Sequence, residues 1–331
     1  MDVTEKDAAQ PEVIEWLLDS DPSIRWQVMR DLVEPAAPSV ERAPPVELVE
    51  TRARVATEGW GARLLALQTD DGYWGGEEYG HDGDRRSVMW TLHSLRRFGV
   101  DPDAAPVRAA IARVRDGVRW REWGGRPFFH GETEACANGG VLALAAYFGE
   151  LGEGSDRVLS LLLSERLDDG GWNCDAPESR RSSFDSTMCV LEGLLEYERA
   201  IGEVDAAVTD ARRRGEEYLL ERNLFRRLST GEIVLPRYAE FHFPPYWVYD
   251  VLRALDYFRA VGEPADPRIA PAVELLRAQQ RADGRWPAAA PWHGEVFFAV
   301  EEPEGEPSRW NTLRALRVLR WLDGSTQAGL A

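Results

Sequence analysis

Asp185 stands in the segment Ser183-Phe184-Asp185-Ser186-Thr187, a single carboxyl flanked by hydroxyls. Such a group serves either as a general acid or base in a cleft, or as a helix cap accepting backbone N–H bonds. Two histidines are further acid–base candidates: His130 in His130-Gly131-Glu132-Thr133-Glu134, and His242 in Glu240-Phe241-His242-Phe243-Pro244-Pro245. No second His follows His130 at helical spacing, so the His-Glu-x-x-His zinc pattern is absent. Arg25 and Arg309 have the chemistry to bind a carboxylate or phosphate, and equally to pair with the chain's many acids. Trp26, Trp90, Tyr246, Trp247, Tyr249 and Trp310, with the amide of Asn138, would line a cavity for an apolar or cationic guest, or else fill a core. No Gly-rich phosphate loop, Ser-His-Asp order or Asp-rich metal motif occurs.

These residues gain meaning from a repeat. Asp70-Asp71-Gly72-Tyr73-Trp74 returns as Asp168-Asp169-Gly170-Gly171-Trp172 and as Ala282-Asp283-Gly284-Arg285-Trp286. A second series ends on Leu32, Leu95, Leu144, Leu194, Leu255 and Leu316, each preceded three residues earlier by an apolar side chain, the spacing of one helical face. Outer helices are expected near residues 11–18, 54–68, 106–117, 155–166, 212–221 and 271–280, one-sided in hydrophobicity, and each is followed by an inner helix. Six pairs predict an all-α (α/α)6 barrel, a toroid of six inner and six outer helices; an open α-solenoid is the alternative. The matched entries Asp21-Pro22-Ser23-Ile24-Arg25-Trp26 and Glu306-Pro307-Ser308-Arg309-Trp310 favour closure, which would set the first and last copies side by side. One toroid domain is expected over residues 11–324, between flexible ends at 1–10 and 325–331. Aligning the six copies puts Asp185, Tyr246, Tyr249, Asn138, Trp26 and Trp310 at the amino-terminal tips of the inner helices, where a site mouth is expected.

The Asp-Gly-x-Trp turns after Leu-Leu-x-x-Gln helices, as in Leu64-Leu65-Ala66-Leu67-Gln68 and Leu275-Leu276-Arg277-Ala278-Gln279, resemble the Gln/Trp repeats of the squalene–hopene cyclase and protein prenyltransferase β-subunit superfamily. The resemblance spans nearly the whole chain and implies a single toroid with its ligand in the central cavity. It implies that Trp74, Trp172 and Trp286 are scaffold. Class II terpene cyclases carry Asp-x-Asp-Asp-Thr at this place on an inner helix, and its middle acid protonates an alkene or epoxide. Asp185 and Thr187 match that pattern, whereas serines replace both flanking acids. The zinc ligands of prenyltransferase β-subunits are an Asp, a Cys two residues on and a distant His. Here Thr187 takes the Cys position, Cys189 is four residues away and His242 lies far along the chain, so no metal is expected and no cofactor either.

The function expected from the resemblance is a terpene-cyclase-like lyase or isomerase that acts on a hydrophobic, isoprenoid or polyene-derived small molecule, with Asp185 as general acid. Two alternatives stand beside it: a non-catalytic toroid that binds a hydrophobic small molecule, and a protein-interaction scaffold. A net charge of −18 argues against nucleic acid as a partner, and no apolar run is long enough for membrane insertion. Three cysteines make no disulfide framework, and the start of the chain lacks a signal-peptide pattern, so a cytoplasmic location is expected.

Overall fold

A computed structural model describes residues 10–33, 45–80, 83–122, 124–202 and 205–328. The expected flexible ends therefore fall largely outside the described residues. The inner helices are α2 (Pro22–Val28), α5 (Val88–Phe98), α7 (Ala135–Phe148), α9 (Phe184–Ile201), α11 (Val251–Val261) and α13 (Arg309–Ala328). The outer layer is α1 (Pro11–Leu18), α3 (Val46–Arg54) with α4 (Gly59–Ala66), α6 (Ala105–Gly117), α8 (Glu153–Ser164), α10 (Ala206–Leu220) and α12 (Ala270–Ala278). The all-α toroid expected from the repeat is the observed fold.

The ring closes. Arg317 of α13 donates to the Gln27 side chain of α2 at 3.1 Å, and Trp310 stacks on Phe98 and Trp60 with ring centroids 5.7 and 6.0 Å away. An open solenoid would leave these end repeats unpartnered.

The repeated turn has one job in all three copies. The indole N–H of Trp74 donates to Leu64 O at 2.7 Å, that of Trp172 to Leu162 O at 2.7 Å, and that of Trp286 to Leu276 O at 2.8 Å. Each bond runs ten residues back to a carbonyl in the last turn of the preceding outer helix, where the regular helical bonds run out. All three rings are fully buried. The middle Gly of each turn has φ of 91°, 99° and 78°, the left-handed region that glycine adopts without a Cβ clash.

Two boundaries differ from expectation. The outer helix expected over 54–68 is shorter, α4 over Gly59–Ala66, and a separate helix α3 ends at Arg54; Gly59 turns at φ 63° and sits against the Asp21 carboxylate. Asp21 accepts from Ser23 N and from Trp60 N, both at 2.8 Å, and so caps α2 and α4 together. The outer helix read over 212–221 starts earlier, at Ala206, where the Asp205 side chain caps it. Among the described residues, strands are four two-residue pieces: β1 (Arg119–Trp120) pairs antiparallel with β2 (Arg126–Pro127), and β3 (Trp286–Pro287) with β4 (Pro307–Ser308). No described helix is long and apolar enough to cross a membrane.

Inner helix α7 is buried all round, and its seam with α9 is the tightest in the ring. A Cβ on Gly139 would lie 2.6 Å from Cys189 O, and one on Gly193 would lie 2.4 Å from Gly139 O. Backbone meets backbone there, which only glycine permits.

Candidate functional site

The amino-terminal mouth of the barrel is filled. Trp90 packs against Tyr79 and Tyr246 with centroids 5.1 and 5.5 Å apart, and His242 stacks on Trp292 at 3.9 Å. Among the described residues, a void of about 10 Å³ lies between Tyr79, Met89, Trp90, Tyr246 and Trp247. That is room for about one water. The aromatics expected to line a cavity at this end are mostly core.

Asp185 belongs to this packed end. Its Oδ2 accepts from Arg237 Nη2 at 3.0 Å and Tyr238 OH at 3.3 Å, and its Oδ1 accepts from Tyr249 N at 2.7 Å. Three donors from the segment between α10 and α11 converge on one carboxylate, and the residue lines neither cavity. Tyr249 is fully buried, with its hydroxyl on Leu224 O. Thr187 accepts from Trp172 N at 3.0 Å and so serves the repeated turn, as Thr312 does for Trp286. His242 pairs its Nδ1 with Glu240 O at 3.0 Å. His130 lies against Gly154 of outer helix α8, away from the barrel axis. Asn138 accepts from Glu132 N at 2.9 Å and shapes the loop before α7. Arg25 is exposed, and Arg309 pairs with Glu302 at 3.2 Å, so the two do not form an anion clamp.

The cavity lies at the other end, over the carboxyl-terminal halves of the inner helices. It holds about 470 Å³, within the range of small-molecule sites. Trp26, Phe243 and Trp310 supply an apolar wall, with Phe243 stacked on Trp310 at 3.9 Å. Of the residues expected to bind ligand, Trp26 and Trp310 alone reach this space. Nine arginines line it, against four carboxylates.

The face that carries the amino-terminal tips continues along each inner helix to these residues. Two positions before the aligned leucines stand Arg30, Glu192, Arg253 and Arg314; one position after them stand Arg96, Asp256 and Arg317. The signal was therefore present in the same alignment, two turns further on.

Glu192 is the hub. It accepts from Arg253 Nε at 2.8 Å, Arg97 Nη2 at 3.1 Å and Arg96 Nη2 at 3.2 Å. Burial would raise its pKa, but Arg253 and Arg97 outweigh burial and hold it well below the usual carboxylate range. Asp256 gathers Arg317 and Arg259, and is likewise held low against its burial. Burial, with Arg253 and Arg96 nearby, brings Arg97 down to about 9 despite Glu192. The buried Nε atoms of Arg96 and Arg97 have no hydrogen-bond partner among the described residues. Beneath them, burial and then Arg96 and Arg97 push His93 well below its ordinary value, which keeps it neutral at pH 7. Part of the cationic ring answers the carbonyls at the helix ends, as Arg52 Nε does for Gly99 O at 3.1 Å. Arginines crowded onto Glu192 exceed what those ends require.

Solved structures place this architecture. A polysaccharide lyase is similar over 99% of this chain and 98% of its own, with 13% identity and a TM-score of 0.52. A glycosyl hydrolase family 88 protein from Bacteroides vulgatus is similar over 97% of this chain and 100% of its own, with 11% identity and a TM-score of 0.51. Both likenesses show the α/α toroid fold and nothing finer. The type II terpene cyclase MstE from Scytonema matches over 86% of this chain and 99% of its own at 15% identity, but a TM-score of 0.30 is too loose to argue from. No protein-family model and no curated protein matches the chain.

Proposed function

We propose that the toroid binds a small anionic molecule bearing an apolar portion in its carboxyl-terminal cavity and acts on it there as an enzyme. One observation carries this reading: nine arginines against four carboxylates around about 470 Å³, in a chain whose net charge is −18. An acidic protein that concentrates cations in one concave place focuses field lines on an anion. Guanidinium groups suit carboxylate, sulfate or phosphate, since they donate in a planar fork. Trp26, Phe243 and Trp310 suit the apolar part of the same molecule. The enzyme half of the proposal draws on the toroids it resembles in fold, a polysaccharide lyase and a glycosyl hydrolase.

A terpene-cyclase-like proton transfer from Asp185 has less support. Its carboxylate is taken up by three hydrogen bonds and lines neither of the two cavities described above. An isoprenoid remains a fitting ligand if it carries an anionic head, which moves the site to the arginines.

Titration calorimetry with an isoprenoid diphosphate, the matching neutral alcohol and an acidic oligosaccharide tests the proposal, with conversion followed by mass spectrometry. Binding of at least one anion, weakened about tenfold or more by Arg97→Gln, is expected. Equal affinity for the neutral alcohol, or an unaltered anion affinity in Arg97→Gln, would overturn it. An anion bound but recovered unchanged would leave the toroid a binding protein.

A further inference from the structure

At the opposite end of α7 from the arginine cavity, Glu134, Cys136 and Cys174 bring one carboxylate oxygen and two sulfurs within 4.8 Å of one another. Residues two apart on a helix point away from each other. Glu134 escapes that rule as the N-cap residue, with extended backbone at φ −80° and ψ 134°, so its side chain turns back toward Cys136 in the first turn. Glu134 Oε2 lies 3.7 Å from Cys136 Sγ. Cys174 arrives from the loop that follows the Trp172 turn. Its sulfur accepts from Cys136 N at 3.2 Å and from Ser186 Oγ at 3.3 Å. Ser186 is itself fixed, accepting from Cys174 N at 3.2 Å and from Ser183 Oγ at 2.9 Å. A sulfur that takes two donors from behind is oriented as a metal-bound thiolate is by its outer partners.

We propose that Glu134, Cys136 and Cys174 form a binding site for one zinc-class divalent ion. Two sulfurs and one oxygen select a borderline-soft ion over magnesium or calcium, which take oxygen ligands. Tetrahedral zinc holds its sulfurs about 3.8 Å apart, so small side-chain rotations close the cluster. Three protein ligands leave a fourth position, and exposed Glu134 puts it on the solvent side. Two thiolates and a carboxylate around a dication carry one net negative charge, which suits the helix N-terminus. The ion would staple the start of α7 to the loop between α8 and α9. No metal was expected from the sequence because Asp185 has Thr187, not a cysteine, two residues on. Cys174 joins the cluster only through the fold.

The full chain, reduced and freed of metal with a chelator, is titrated with cobalt(II). One cobalt per chain with a near-ultraviolet thiolate-to-cobalt band is expected, displaced by one equivalent of zinc. Zinc should also shield two thiols from a maleimide. Cys136→Ser and Cys174→Ser should each weaken binding at least about tenfold. Cys189→Ser, whose sulfur lies by Trp247 O and Arg253, should leave the band unchanged. No stoichiometric band in the wild-type chain overturns the site, and that reading needs no variant to fold. So does a band that survives both serine variants, or a Cys136–Cys174 disulfide that forms in air at the same rate with zinc present.

Discussion

Arg253 and Glu192 meet at 2.8 Å between the filled half of the barrel and the open half, and both line the small void as well as the large cavity. Their side chains are 3% and 13% exposed, so the pair is effectively an interior one. Glu192 also holds Arg96 and Arg97. Removing its charge would take away the carboxylate shared by three guanidinium groups, of which Arg96 keeps Glu196 at 3.5 Å as a second partner.

Glu192→Gln should therefore destabilise the fold by about 3–5 kcal/mol, the cost of breaking a buried pair from one side. Urea denaturation measures it, and a loss under 1 kcal/mol would show that the arginines repair themselves. An anion added to the variant should recover more stability than it gives the wild-type chain.

Stability should fall on mild acidification. His93 is buried, and its folded pKa lies well below the 6.5 of the free side chain. A base with a lowered folded pKa contributes stability that is fully present above the unfolded value and is lost as pH falls below it. Unfolding free energy should drop from about pH 6.5 downward, by up to about 1.4 kcal/mol per pH unit for the one proton. Below pH 4.5 the low-lying Glu192 adds a second loss of the same sign. His93→Gln should flatten the limb between these two values in denaturation curves run at several pH values, and an unchanged limb would assign it to other groups.

The three repeated tryptophans make equivalent bonds, so their variants should cost alike. Trp74→Phe, Trp172→Phe and Trp286→Phe each remove a buried hydrogen bond and leave a small cavity, together about 2–4 kcal/mol. Calorimetric melting of the three proteins compares them directly. A variant within 0.5 kcal/mol of wild type would break the equivalence.

Asp185→Asn should loosen the segment carrying Arg237, Tyr238 and Tyr249, lowering stability by about 1–3 kcal/mol. Anion affinity at the far cavity should stay within twofold. Hydrogen exchange at Tyr249 N reads the loosening, and calorimetry reads the affinity. Loss of turnover in a folded, ligand-binding Asp185→Asn protein would restore the acid role.

The repeat makes the toroid legible in the sequence, because Leu, Gly and Trp recur where helix faces and turns demand them. Closure was legible too, from the matched entries at Asp21-Pro22 and Glu306-Pro307. The open end was not. Aromatic tips suggested a lined mouth, but Trp292, stacked on His242, comes from a long loop whose path no periodicity encodes, and it helps fill that end. The arginines lay on the expected helical face, yet in an acidic chain each had a salt bridge as its ordinary explanation. Only their convergence on Glu192 and Asp256 separates excess from pairing. The Glu134–Cys136–Cys174 cluster was hidden for a different reason, since a loop rather than a helix register delivers Cys174.

The glycine seam between Gly139 and Gly193 has a consequence for the shape of the ring. With α7 and α9 in backbone contact, α7 is drawn in against its neighbour, and the cavity is walled by α2, α5, α9, α11 and α13. α7 accordingly gives the cavity wall one side chain, Tyr147. The barrel is a lopsided vessel. Any remodelling for a larger or smaller guest must work on α2, α5, α11, α13 and the cavity-facing residues of α9, while α7 serves as the hinge-less spine against which they are measured.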